Sequence, residues 1–186
     1  MKTLVFLAAL LASGTAFAQN AQQQSADLDY SYLELRFVDV DNNGDGLRFG
    51  GSFDFGNNWL LVGGVTSLDY NNNVDANWYE IGAGYVWHYT SDWDMIATLK
   101  YGNVDIDNPG QGFDDDGLAF SGGVRGWLAP KFELRGSVNH ITIGDSDTYL
   151  ELAGDYHFTP RFAAGLSLEF AGDNDIWTIG GRWFFE

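Results

Sequence analysis

From Trp177 to Phe185 this chain places Trp177, Ile179, Gly181, Trp183 and Phe185 on one face of an extended segment, with Thr178, Gly180 and Arg182 on the other. Successive strand side chains point to opposite faces, so a period-two run of this kind folds as a strand with one apolar and one polar side. The alternation recurs upstream. Phe162, Ala164, Leu166, Leu168 and Phe170 oppose Arg161, Ala163, Gly165, Ser167 and Glu169, and Leu150, Leu152, Tyr156 and Phe158 oppose Glu151, Asp155 and His157. Tyr79 to Trp87 and Trp93 to Tyr101 follow the same rule. Each segment is about as long as a tilted strand must be to cross a bilayer, roughly 9–11 residues. The pattern predicts an all-β fold, a single antiparallel transmembrane β-barrel.

Turn residues divide the chain into ten segments, at 30–40, 46–55, 59–68, 77–89, 93–106, 117–128, 131–143, 148–158, 161–171 and 175–185. Ten strands are therefore expected, with eight as the alternative should one hairpin be wrongly split. An even number returns both ends of the barrel chain to one side. The seventh segment is expected to lose register near His140. Before the barrel, residues 1–18 combine Lys2, an apolar run from Leu4 to Leu11 and small residues at Ala16 and Ala18, the pattern of a cleaved secretory signal. The expected organisation is a signal at 1–18, a polar leader at 19–27 and the barrel at 28–186. The absence of cysteine permits an exported life without disulfides.

The connections are of two kinds. Gly56-Asn57-Asn58, Thr90-Ser91-Asp92, Ala129-Pro130 and Thr159-Pro160 are tight, as periplasmic turns are. The others carry fourteen Asp residues between Asp39 and Asp175 with no Lys or Arg, so the opposite end is anionic. Lys2 leaves with the signal, so eight of the nine basic residues face 26 acidic ones, a formal mature charge of −18. Nucleic acid is excluded as a partner, because its recognition needs a basic footprint.

Charges inside the strands fall on the face away from lipid: Glu34, Arg36, Arg48, Asp54, Glu80, Lys100, Arg125, Glu133, Arg135, Glu151, Asp155, Glu169 and Arg182. Buried charges are tolerated only when paired and hydrogen-bonded, so these thirteen are expected to form a network across the lumen. The competing reading is a soluble periplasmic barrel acting as a binding module. Against it, the mature chain has only Lys100 and Lys131, where a water-facing barrel scatters lysines over its outside. Tryptophans divide similarly, with Trp59, Trp87, Trp93, Trp127 and Trp183 near the tight turns and Trp78 and Trp177 near the acidic end, as two interfacial girdles would.

The signal, the opening Tyr30-Ser31-Tyr32-Leu33-Glu34, the Asp/Gly loops and the aromatic last strand resemble the small opacity-type, OmpA-like barrels of the bacterial outer membrane. The resemblance is nearest to the sub-family named for a proposed activation of plant immunity. It implies an outer-membrane location, a non-enzymatic protein, and contact with membrane lipid and lipopolysaccharide. Gly180, Trp183 and Phe185 are similar in spacing to the terminal signal read by the barrel-assembly machinery, although Glu186 follows where that signal ends on its aromatic residue.

Little in the sequence suggests chemistry. The three histidines are not expected to cooperate, His88 and His157 lying near the tight-turn end and His140 near the acidic end. Asp41-x-Asn43-x-Asp45-Gly46 resembles the first half of a calcium loop, but the twelfth position is Ser52 rather than a bidentate carboxylate. No cofactor is expected beyond loosely bound Ca2+ or Mg2+, with Asp41, Asn43, Asp45, Asp114, Asp115 and Asp116 as the contacts. The expected protein is a monomeric outer-membrane barrel with a mainly occluded lumen and a role in envelope structure or surface contact. A narrow channel for ions or small solutes is the alternative, since Gly50, Gly82, Gly84, Gly102, Gly123 and Gly165 leave space inside.

Overall fold

The computed structural model describes residues 28–41, 43–71, 74–108, 112–144, 146–172 and 174–185. The expected signal at 1–18 and leader at 19–27 lie outside them, as do Asp145, Asp173 and Glu186. Ten strands follow one another in the chain: β1 (Tyr32–Val40), β2 (Gly44–Asp54), β3 (Trp59–Tyr70), β4 (Val74–His88), β5 (Trp93–Asp107), β6 (Phe113–Ala129), β7 (Phe132–Ile141), β8 (Asp147–Thr159), β9 (Phe162–Ala171) and β10 (Asn174–Phe184). Each pairs antiparallel with its neighbours, and β1 closes on β10 from Tyr32 opposite Phe184 to Val40 opposite Ile176. Closure leaves no exposed strand edge, which a wall inside hydrocarbon requires because an unpaired backbone group there costs several kcal/mol.

The side chains obey the alternation. Leu166, Ile81 and Ile179 face outward and are 54%, 61% and 54% exposed, while on the opposite parity Arg36, Arg125 and Arg182 are at most 2% exposed. Apolar outside and charged inside inverts a soluble protein, as it must where lipid surrounds the wall and the lumen is polar. This inversion also corrects the soluble-barrel alternative. Aromatic rings gather by the tight turns, where Tyr85 lies 5.0 Å from Trp59 and 4.7 Å from Trp87, ring centre to ring centre.

One local expectation needs correction. The seventh strand keeps register through His140, which sits opposite both Phe120 and Thr148. The irregularities fall instead at the turn ends, between Trp127 and Ala129 and between His157 and Thr159. They bring Trp127, on lumen parity, to 4.7 Å from the His157 ring. The first tight turn uses Gly56 at φ +96° with Asn57 and Asn58 at +55° and +69°, a left-handed stretch that only Gly and Asn enter cheaply.

A charge cluster closing the lumen

Near the tight-turn end seven strand residues converge inside the barrel: Glu34 and Arg36 from β1, Arg125 from β6, Glu133 and Arg135 from β7, Asp155 from β8 and Arg182 from β10. Glu133 is its centre, with no exposed surface. Arg125 donates to it as a fork, Nε to Oε1 and Nη2 to Oε2, both at 2.9 Å. Arg182 Nη1 donates to the same Oε1 at 3.0 Å, and His157 Nε2 lies 3.0 Å from Oε2. Planar forks of this kind fix orientation as well as charge, and they are the geometry for which Arg is better suited than Lys.

The second anionic centre is Asp155, which accepts from Arg36 Nη2 at 3.0 Å and Arg135 Nη2 at 3.4 Å. Glu34 joins the two, accepting from Arg36 Nε and Arg182 Nη2, each at 3.2 Å. Four guanidinium groups thus share three carboxylates. Because Arg182 on β10 reaches β7 and Arg36 on β1 reaches β8, the bonds cross the interior and do not merely run along the wall. Aromatic faces complete the cage: Arg182 lies 4.2 Å from the Tyr32 ring centre and Arg125 lies 4.6 Å from that of Tyr30.

Two pairs stand apart. Arg48 on β2 donates to Glu169 on β9 at 2.6 Å, and Lys100 on β5 to Glu80 on β4 at 2.7 Å. Between these and the cluster, toward β2 to β7, lies a cavity of about 210 Å³, walled partly by Ser52, Thr98, Ser121, Asn139 and Glu151. Glu151 thus belongs to the cavity wall. Asp54 shares the parity of the set but is exposed at the end of β2, where its carboxylate caps the turn by accepting from the Gly56 N–H at 2.7 Å. It is corrected from network member to turn residue.

Two further inward residues stand beside the turns, outside the expected set of thirteen. Asp94 is 5% exposed, accepting from the Tyr30 hydroxyl at 2.7 Å and lying 2.9 Å from His88 Nδ1. Its parity matches Thr98 and Lys100, and it stands two positions after the Thr90-Ser91-Asp92 turn. His157 shows the same signal on β8, two positions from Asp155.

The residues considered for cations are dispersed. Asp45 and Gly46 belong to β2, so the Asp41-Asn43-Asp45 spacing is split between turn and strand. Along β6 the three acids alternate faces: Asp115 points inward and accepts from the Gly144 N–H, while Asp114 accepts from Asn103 at 3.3 Å. Among the described residues no group of three His, Asp or Glu side chains is placed to hold a metal ion. At the terminal signal, Trp183 faces outward at 56% exposure with Phe185 6.3 Å away. Gly180 sits opposite Arg36 in the closing seam, where a Cβ would approach the Arg36 Cα to 2.6 Å, closer than such atoms tolerate.

The model of the outer membrane protein beta-barrel domain matches residues 4–170. The chain belongs to that family. This membership, with the outward apolar wall, places it in the bacterial outer membrane. Among solved structures it is similar to the KdgM porin at 13% identity and a TM-score of 0.54, covering 83% of this chain and 99% of that one. A second KdgM structure, in complex with disordered oligogalacturonate, gives 11% identity and 0.52, with 83% and 99% covered. At such identities the likeness is one of fold. The NanC porin follows at 12% identity and 0.49, with 83% and 100% covered.

Proposed function

We propose that this outer-membrane barrel is a non-catalytic envelope protein whose lumen is closed at rest and whose working surface is its acidic outer rim. The observation that carries the reading is the Glu133–Arg182–Glu34–Arg36–Asp155 chain of bonds spanning the interior. Groups so desolvated hold their partners tightly, because parting them strands a charge in a low-dielectric site. Within the family, the opening strand and hairpin rhythm support kinship with the opacity-type sub-family named for plant immunity. The cavity favours a second reading, a narrow channel. Refolded protein in planar bilayers is expected to insert, show the heat-dependent gel shift of a closed barrel, and pass no steady current. Discrete, reproducible openings in the unmodified protein would favour the channel instead.

The rim reading rests on register. Asp39, Asp45, Asp69, Asp75 and Asp107 stand directly opposite one another across five successive strands, on the outward parity. Like charges in that relation repel, and phosphates of surrounding lipopolysaccharide would add to the repulsion. Ca2+ or Mg2+ bridging carboxylate to phosphate relieves both, since these ions take oxygen ligands from several sources at once. Chelator is therefore expected to lower the unfolding temperature in bilayers containing lipopolysaccharide and leave it unchanged in phosphatidylcholine. Equal values with and without chelator in lipopolysaccharide would count against the bridge. The assembly machinery remains a proposed partner through Trp183 and Phe185, and a monomer is the proposed state.

A further inference from the structure

The charge cluster fills only the part of the lumen toward β6 to β10 and β1. Toward β3 to β5 the closure comes from a different source, the residues immediately before the first strand. Tyr30 is 5% exposed and packs with Leu60 of β3 and Val86 of β4, and Leu28, Val62 and Ile96 pack around these three. Its hydroxyl donates to Asp94 of β5 at 2.7 Å. The carbonyl of Asp29 accepts from Arg125 Nη1 of β6 at 2.8 Å. A segment leaving β1 thus crosses the mouth and makes its contacts on the opposite wall. Its own backbone pairs with no strand there, and Tyr30 also borders the 210 Å³ cavity as part of its floor.

We propose that residues 28–30 are a removable stopper that shuts the cavity from the periplasm, so that the barrel is a gated conduit for small ions rather than a permanently filled cylinder. The inference rests on the closed resting state argued above. The wall behind the stopper is complete without it, because β1 is paired on both sides from Tyr32 onward. Withdrawal breaks one apolar contact set, the Tyr30–Asp94 and Arg125–Asp29 hydrogen bonds, the local Ser31 N–H to Asp29 carboxylate bond and the stacking of Arg125 on the Tyr30 ring, but no strand pairing. It leaves Glu133 with its fork from Arg125 and its bonds to Arg182 and His157. The cavity then opens on the side away from the cluster, past Ser52 in its wall.

The test compares single-channel currents, in potassium chloride, of the unmodified protein, Tyr30→Ala, and a chain from which residues 28–30 are deleted. Insertion of each is verified by the heat-dependent gel shift. Steady conductance in either variant, at least tenfold more open time than the unmodified protein, is the expected result. Folded, inserted and silent variants beside a silent unmodified protein would overturn the stopper and leave the occluded lumen standing. Steady current through the unmodified protein itself would overturn both. Should Tyr30→Ala fail to insert, the deletion decides; failure of both to insert, against efficient insertion of the unmodified chain, would make the segment part of the folded wall and refute its removability.

Discussion

Arg182→Met is expected to destabilise the barrel by about 3–5 kcal/mol, the range found when one member of a buried ion-pair network is removed. Arg182 has no exposed surface, and its guanidinium bonds both Glu133 and Glu34 with Asp155 3.7 Å away. Methionine fills much of the volume but leaves those carboxylates with fewer donors, and no solvent replaces the ones lost. Equilibrium urea unfolding in lipid vesicles, followed by tryptophan emission, measures the loss. Lys100→Met provides the contrast, because its pair with Glu80 is solvent-accessible and a loss of about 1 kcal/mol or less is expected. Equal effects at the two positions would mean that the cluster has no special standing.

The second large effect belongs to the opposite face. Leu166→Arg, on outward parity in the middle of β9, is expected to cost about 2–4 kcal/mol, the price of a cationic side chain at the bilayer midplane. Its neighbour Ser167 faces inward, where its hydroxyl bonds Thr178 at 2.8 Å. Ser167→Ala is expected to cost about 1 kcal/mol, the usual net worth of one hydrogen bond. The same vesicle titration reads both. A Leu166→Arg protein as stable as its parent would contradict the assignment of that face to lipid.

Most of the architecture was legible because period two and turn chemistry carry it. Phe162 to Phe170 and Trp177 to Phe185 declare their faces without help, and the turn residues mark the ten segments that the structure shows, although eight strands stayed open until the hairpins were seen paired. The closing pair β1–β10 was readable only as an inference from the absence of a tolerable edge. Within the site, parity placed Arg36, Arg125, Glu133, Asp155 and Arg182 inside, but parity reports only the side of the wall. It does not tell which charges share a height, and height separates the central cluster from Arg48–Glu169 and Lys100–Glu80. Asp54 shows the limit from the other side, since the rule weakens where a strand gives way to a turn needing a carboxylate cap.

Tyr30 was harder still. As the sequence reads, it is the first residue of a regular strand, and only the tertiary structure shows the chain leaving β1 to cross the mouth. Asp94 was hidden by its turn in the same way, whereas His157 declared its inward parity but not its bond to Glu133. Register irregularities after Trp127 and His157 turn those side chains toward one another, and such shifts depend on how neighbouring strands end rather than on local composition.

The central claim is that charge pairs reaching across the interior tie opposite walls together and fill the cluster side of the lumen, and a double-mutant cycle on Arg182→Met and Glu133→Leu in lipid vesicles addresses it most directly. Coupling of about 2 kcal/mol, with the double variant losing clearly less than the two singles together, is the predicted result for residues sharing one network. Additive losses within about 0.5 kcal/mol would contradict it, because the two side chains would then be independent and their bond would not tie the walls together.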